Sequence, residues 1–168
     1  MVRPIRRLLL HVLMALLATS VLALPAEAAG KNEPMVPQPP LLKIAASWSG
    51  EASAAGLQAL PQWRPKLRAG CIGDPSAFAV FWAVFKPGSI APRVDFDRHV
   101  VVFVARDSAY EQLAIVKVTL KDGTAEIVAS GYRSAPVRED RLAVAAAVVR
   151  RAGIKLLSVG GEQAPVEP

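Results

Sequence analysis

The chain has 168 residues, 20 Lys and Arg against 14 Asp and Glu, a formal net charge of +6, and 52% hydrophobic residues. That is enough for one well-formed core and too little for two ordinary domains. A single cysteine, Cys71, excludes a disulfide framework within the chain, and the dispersed charges lack the basic stripe with interleaved aromatics of a nucleic-acid binder.

Arg3, Arg6 and Arg7 form a basic head, and an apolar run from Leu8 to Leu24 follows, broken only by short polar residues and His11. Pro25 and Ala26-Glu27-Ala28 supply a small-x-small exit. This is the pattern of a secretory signal peptide over residues 1–28. Its removal predicts a periplasmic or secreted chain starting near Ala29, with 17 basic against 13 acidic residues, or +4. No second apolar run is long enough to span a bilayer, and Cys71 lies far from the cleavage site, so no lipid anchor or stable membrane insertion is expected after cleavage.

Residues 29–40, with KNEPMVPQPP over Lys31 to Pro40, read as a Pro-rich extended tether. A single globular domain is expected over 41–160 and a polar tail over 161–168. Leu42 to Trp48 reads as a strand, Ser49 to Leu60 stays undecided, and the two prolines in Pro61 to Arg68 predict a loop or short edge segment.

Asp74-Pro75 pairs an N-cap acceptor with proline at the first helical position. Phe78, Phe81, Trp82 and Phe85 follow at i, i+3, i+4 and i+7, predicting a helix with one aromatic face, ended by Pro87-Gly88. Such a face belongs to a core, so this helix should cover a sheet. Asp95-Phe96-Asp97 would set two carboxylates on one side of an extended chain. Calcium needs more oxygen ligands than these, so Phe96 is expected in the core and the aspartates at a turn or against Arg93 and Arg98.

His99 to Arg106 (HVVVFVAR) is nearly continuously β-branched and predicts a central strand covered on both sides. In Gln112 to Leu120 the alternation sends Val116, Val118 and Leu120 to one face and Lys117 and Thr119 to the other. Asp122-Gly123 signals a hairpin into the partner strand Thr124 to Ser130. Leu142 to Val149 (LAVAAAVV) is compatible with a helix closed by Gly153, or with a strand turning at Ala152-Gly153 into Ile154 to Val159.

The chemistry-bearing residues are few. After signal removal His99 is the only histidine, and with Cys71 it is the sole candidate for a thiol–imidazole pair, with no third orienting group in the sequence. One histidine and one cysteine do not make a zinc site. No P-loop, nucleophile elbow or Gly-rich dinucleotide turn is present, so no catalytic, cofactor or metal residues are assigned. Arg133, Arg138, Arg141, Arg150 and Arg151 form the densest basic cluster, interrupted by Glu139 and Asp140, and read as a partly self-neutralised face. Tyr132, Arg133 and Arg138 lie in SGYRSAPVRED, a loop after a strand, and Tyr and Arg are favoured interface residues. They are the candidate interaction surface.

From Asp74 to Val159 the chain resembles the protease complex subunit PrcB family. The resemblance rests on the aromatic helix FAVFWAVF, on Pro92 and Val94-Asp95-Phe96 before HVVVFVAR, on the hairpin, and on the late stretch Val148 to Lys155. The chain departs from that pattern at Ser108-Ala109-Tyr110-Glu111, and it lacks the lipoprotein cysteine of some relatives. The resemblance implies a non-enzymatic accessory protein that binds or stabilises another exported protein, and it favours a strand at Leu142 to Val149.

These readings predict an α+β domain: a small, mainly antiparallel sheet of about five strands covered by one amphipathic, aromatic-faced helix. The expected function is binding a protein partner without cofactor or nucleic acid. Two rival readings are a thiol-dependent enzyme or redox protein using Cys71, and a small-ligand module between helix and sheet.

Overall fold

The computed structural model describes residues 38–166 apart from 135 and 152; the expected signal peptide and most of the expected tether lie outside the described residues. The element order is β1 (Ala46–Ser53), α1 (Ala54–Gln58), β2 (Ala69–Ile72), α2 (Pro75–Phe85), β3 (His99–Asp107), β4 (Tyr110–Lys121), β5 (Thr124–Arg133), β6 (Arg141–Arg150), β7 (Leu156–Val159) and β8 (Glu162–Pro165).

Two four-stranded sheets form, in the orders β1-β6-β3-β2 and β4-β5-β7-β8. The first is antiparallel throughout. The second contains one parallel pair, β5 with β7. The first sheet lies in the middle of three layers. Its β3 residues Val101, Phe103 and Ala105 and its β6 residues Val144, Ala146 and Val148 meet the rings of α2. The alternate residues Val100, Val102 and Val104, with Ala143, Ala145, Ala147 and Val149, meet Leu113, Ile115, Val118, Ile127 and Leu157 of the second sheet. A strand clothed on both faces must be apolar at consecutive positions, which accounts for the unbroken runs of β3 and β6. The short alanines of β6 leave room for bulky neighbours on either side.

Helix α2 forms as its sequence requires. Asp74 at the N-cap accepts from the Ala77 N–H at 2.9 Å, Pro75 opens the first turn, and Phe78, Phe81, Trp82 and Phe85 are buried. Trp82 keeps its indole N–H satisfied by the Ser89 hydroxyl at 3.0 Å, just past the helix end. The hairpin also forms as expected: Asp122 and Gly123 take φ of 50° and 80°, the left-handed pair that a tight two-residue turn demands.

The expectation of one sheet of about five strands is corrected to two sheets of four. The α+β expectation with a single covering helix is corrected as well. The described residues are mostly strand with few helices. α2 and the short α1 both contribute to the core on one face of the first sheet, and the second sheet covers its other face. β1 lies later than the strand expected over Leu42 to Trp48 and takes in the front of the undecided stretch, and β2, built from AGCI, has no counterpart in that expectation. The stretch from Leu142 is the interior strand β6, in a ten-residue form. The supposed polar tail supplies β8, paired with β7. The last residue of the expected tether also packs: Pro40 accepts from the Leu120 N–H at 3.0 Å, and Leu42, just beyond it, donates to the Val118 carbonyl at 2.8 Å. The facing expected for Val116 is corrected too. Register shifts between Glu111 and Ala114 and between Ile115 and Lys117 mark bulges, which turn a strand's facing by one residue. Ile115 and Val118 therefore go to the core while Val116 stands 56% exposed.

Candidate functional site

Among the clefts of the described residues, two lie at the flanks of the three layers, where an edge of the first sheet lies near an edge of the second. The first opens between β1 and β4. It has a volume of about 370 Å³ and is lined by Ser49, Gly50, Glu51, Tyr110, Glu111, Gln112, Leu113 and Ala143. Gln112 has φ of 49° within the first bulge of β4, so this stretch of the edge is bent away from regular pairing.

All three candidate surface residues adjoin that cleft. Tyr132 is half-exposed and pairs across the hairpin with Glu111. Arg133 pairs with Tyr110, stacks its guanidinium over that ring at 5.8 Å and lies 3.8 Å from the Asp107 carboxylate. Arg138 is locked by Ser108, whose hydroxyl donates to its carbonyl at 3.0 Å and accepts from its N–H. Its guanidinium forms an ion pair with Glu51, which Arg141 also approaches at 3.8 Å. Glu51 raises the affinity of Arg138 for its proton through that hydrogen bond and charge. The rim is thus an aromatic residue beside alternating charges held by one another, a composition suited to directional contact with a protein surface.

The second cleft, about 350 Å³, lies on the opposite flank beside β2 and the β7–β8 pair, with Gln62, Arg64, Cys71, Asp74, Arg151 and Val166 on its walls. Cys71 is buried, and burial pushes its thiol up to about 12 despite the opposing fields of Arg151 and Arg64. It is therefore a protonated, apolar-facing thiol at neutral pH. Cys71 belongs to the face of the first sheet that meets the second sheet. His99, by strand alternation from Val101, belongs to the face that meets α2, and its Nδ1 lies 3.3 Å from the Asp95 carbonyl. The structure does not bring the two together.

Asp95 and Asp97 form a turn in which Asp95 accepts from the Asp97 N–H at 3.2 Å and lies 3.8 Å from Arg98, while Phe96 enters the core. Among the described residues no group of three His, Cys, Asp or Glu is placed to hold a metal ion, and no helix is long and apolar enough to cross a membrane.

Sequence reasoning had no means of finding Glu51 and Tyr110 as parts of one neighbourhood, because strand pairing between distant segments assembles it. No known protein family, no curated protein and no solved structure matches this chain.

Proposed function

We propose that this is an exported accessory module that binds another envelope or secreted protein, as the PrcB-like residue pattern implies, through the β1–β4 flank. The observation that carries the reading is that Tyr132, Arg133 and Arg138 each pair with a residue on the wall of one cleft between two sheet edges. Their neighbours Glu111, Tyr110 and Glu51 line it. Binding by surface complementarity needs a preorganised rim, and here Arg133 is held by Asp107 and Arg138 by Glu51. No group transfer is involved in this role.

The test is site-specific photo-crosslinking from position 132 in the native envelope, with position 80 on the exposed side of α2 as control. A defined protein adduct from 132 and none from 80 supports the reading. Equal labelling from both, or no adduct from either, overturns it.

A further inference from the structure

We propose that the outer edge of β1 receives an extended segment of a partner protein as an added strand, and that Lys86 selects a segment carrying Asp or Glu opposite Gly50. This deepens the protein-binding reading above and rests on it.

Of the four sheet edges, β1 is the one with a long regular run. Along β4, Pro40 and Leu42 already bond to Leu120 and Val118, and bulges interrupt the rest. β2 and β8 have four residues each, the first bridged by Arg64 at Ala69 and the second containing Pro165. β1 has eight residues and no proline, enough for a stable ladder.

Its register with β6 fixes which backbone groups are available. Ala54 donates to the Asp140 carbonyl in the same frame as the Ala46–Val148 pairing. Even-numbered residues therefore exchange hydrogen bonds with β6, and Ser47, Ser49 and Glu51 turn theirs outward. An exposed row of this kind is a template for strand addition.

One charged group stands over that row. Lys86 Nζ donates to the Ser49 carbonyl at 2.7 Å, and its ammonium lies 4.8 Å from the centre of the Phe85 ring. It occupies the space that a side chain on residue 50 would fill: a Cβ there would come within 2.4 Å of Nζ. Among the described residues no carboxylate lies within ion-pair distance of it.

This placement discriminates between occupants. Pairing two copies of β1 about Gly50 would bring two ammoniums together, a like-charge contact that disfavours self-association. A partner strand with a carboxylate at that position reverses the sign. Opposite Gly50 the pair would be of the non-hydrogen-bonded kind, with Cα atoms about 4.5 Å apart. The partner's side chain would then lie on the α2 face beneath the ammonium. On that face Trp48 and Ala52 flank Gly50 and favour apolar residues two positions either side of the acid. On the other face the added strand would border Ser47, Ser49, Glu51 and Ser53 of β1 and the cleft wall from Tyr110 to Leu113. The recognised segment is apolar-x-acid-x-apolar, extended.

The test is an NMR titration of the isotope-labelled protein with two capped heptapeptides, T-V-T-D-T-V-T and T-V-T-K-T-V-T. The aspartyl peptide is expected to shift the amides of Ser47, Ser49 and Glu51 and to bind at least about tenfold more tightly. Lys86→Glu should invert that preference, and Lys86→Gln should abolish it. The proposal is overturned if those amides do not move, if the preference survives Lys86→Glu, or if the unsubstituted protein dimerises through β1. If β1 stays silent while crosslinking from Tyr132 still yields a protein adduct, strand addition falls and the protein-binding reading stands. If both fail, both fall.

Discussion

Phe81 of α2 and Phe103 of β3 hold their ring centroids 4.8 Å apart at a tilt of 33°, both fully buried. Through this contact the helix is keyed to the middle sheet. Gly70 makes room for it, since a Cβ there would lie 2.5 Å from the Phe103 ring and 2.4 Å from the Gln62 carbonyl. Phe103→Ala should cost about 3–5 kcal/mol by leaving a cavity. Gly70→Ala should cost about 1–3 kcal/mol for the opposite reason, overpacking against backbone that cannot yield. Chemical denaturation of both variants measures the two effects. A neutral Gly70→Ala would show that the Phe103 ring has another place to go.

The N-cap of α2 carries a pH dependence. The Ser76 hydroxyl, followed by the Ala77 N–H, holds Asp74 below the ordinary aspartate value of 3.8. For a carboxylate with a lowered folded value, the stabilisation is complete above the unfolded value and disappears as pH falls through the folded one. Stability should therefore drop below about pH 4 in the wild type, and this component should be absent in Asp74→Ala. That variant should lose about 1 kcal/mol at neutral pH. Ser76→Ala should raise the Asp74 titration midpoint, which carboxyl NMR follows directly.

Cys71 gives the opposite sign at the alkaline end. Its folded value, about 12, stands above the unfolded 9.0. Above pH 9 the unfolded chain releases a proton that the folded chain keeps, so stability falls as pH rises from 9 toward 12. Cys71→Ala should remove that slope. At neutral pH the native thiol should react slowly with iodoacetamide and at an ordinary rate in denaturant. Rapid native alkylation would revive the thiol-dependent reading.

Tyr132→Ala and Arg133→Ala should change stability by no more than about 0.5 kcal/mol, since both side chains stand at the surface. If they anchor the partner, each should weaken the complex by more than about tenfold. Thermal unfolding and equilibrium binding on the same samples separate the two effects.

The elements legible in the sequence are those that local chemistry dictates. Asp74, Pro75 and four rings at helical spacing suffice for α2, and Asp122-Gly123 suffices for its hairpin. The valines of β3 announce burial on two sides, although not that the second cover is another sheet. β2 and β8 carry no local signal: AGCI has no alternation, and EQAP has no β-branched residue and includes a proline. They become strands because β3 and β7 offer ladders to them. The facing of Val116 was hidden by bulges that no turn residue marks. The loop expected for Tyr132, Arg133 and Arg138 is corrected for Tyr132 and Arg133, which belong to the end of β5 because β4 continues the ladder to Tyr110. All three were recognisable by residue type. What they border was not, since Glu51 reaches Arg138 across 87 positions of chain.

The pairing of β1 with β6 also governs the order in which this chain can acquire structure. Residue 46 finds its partner only when residue 148 exists, and β3, at the centre of the same sheet, waits for β6 as well. A chain emerging N-terminus first can close the β4–β5 hairpin early. It cannot assemble its middle layer until nearly all of it has appeared. Such distant pairings fold slowly, because the loop must close before any contact rewards it. The protein should therefore stay unfolded through most of its emergence and fold cooperatively in one late step.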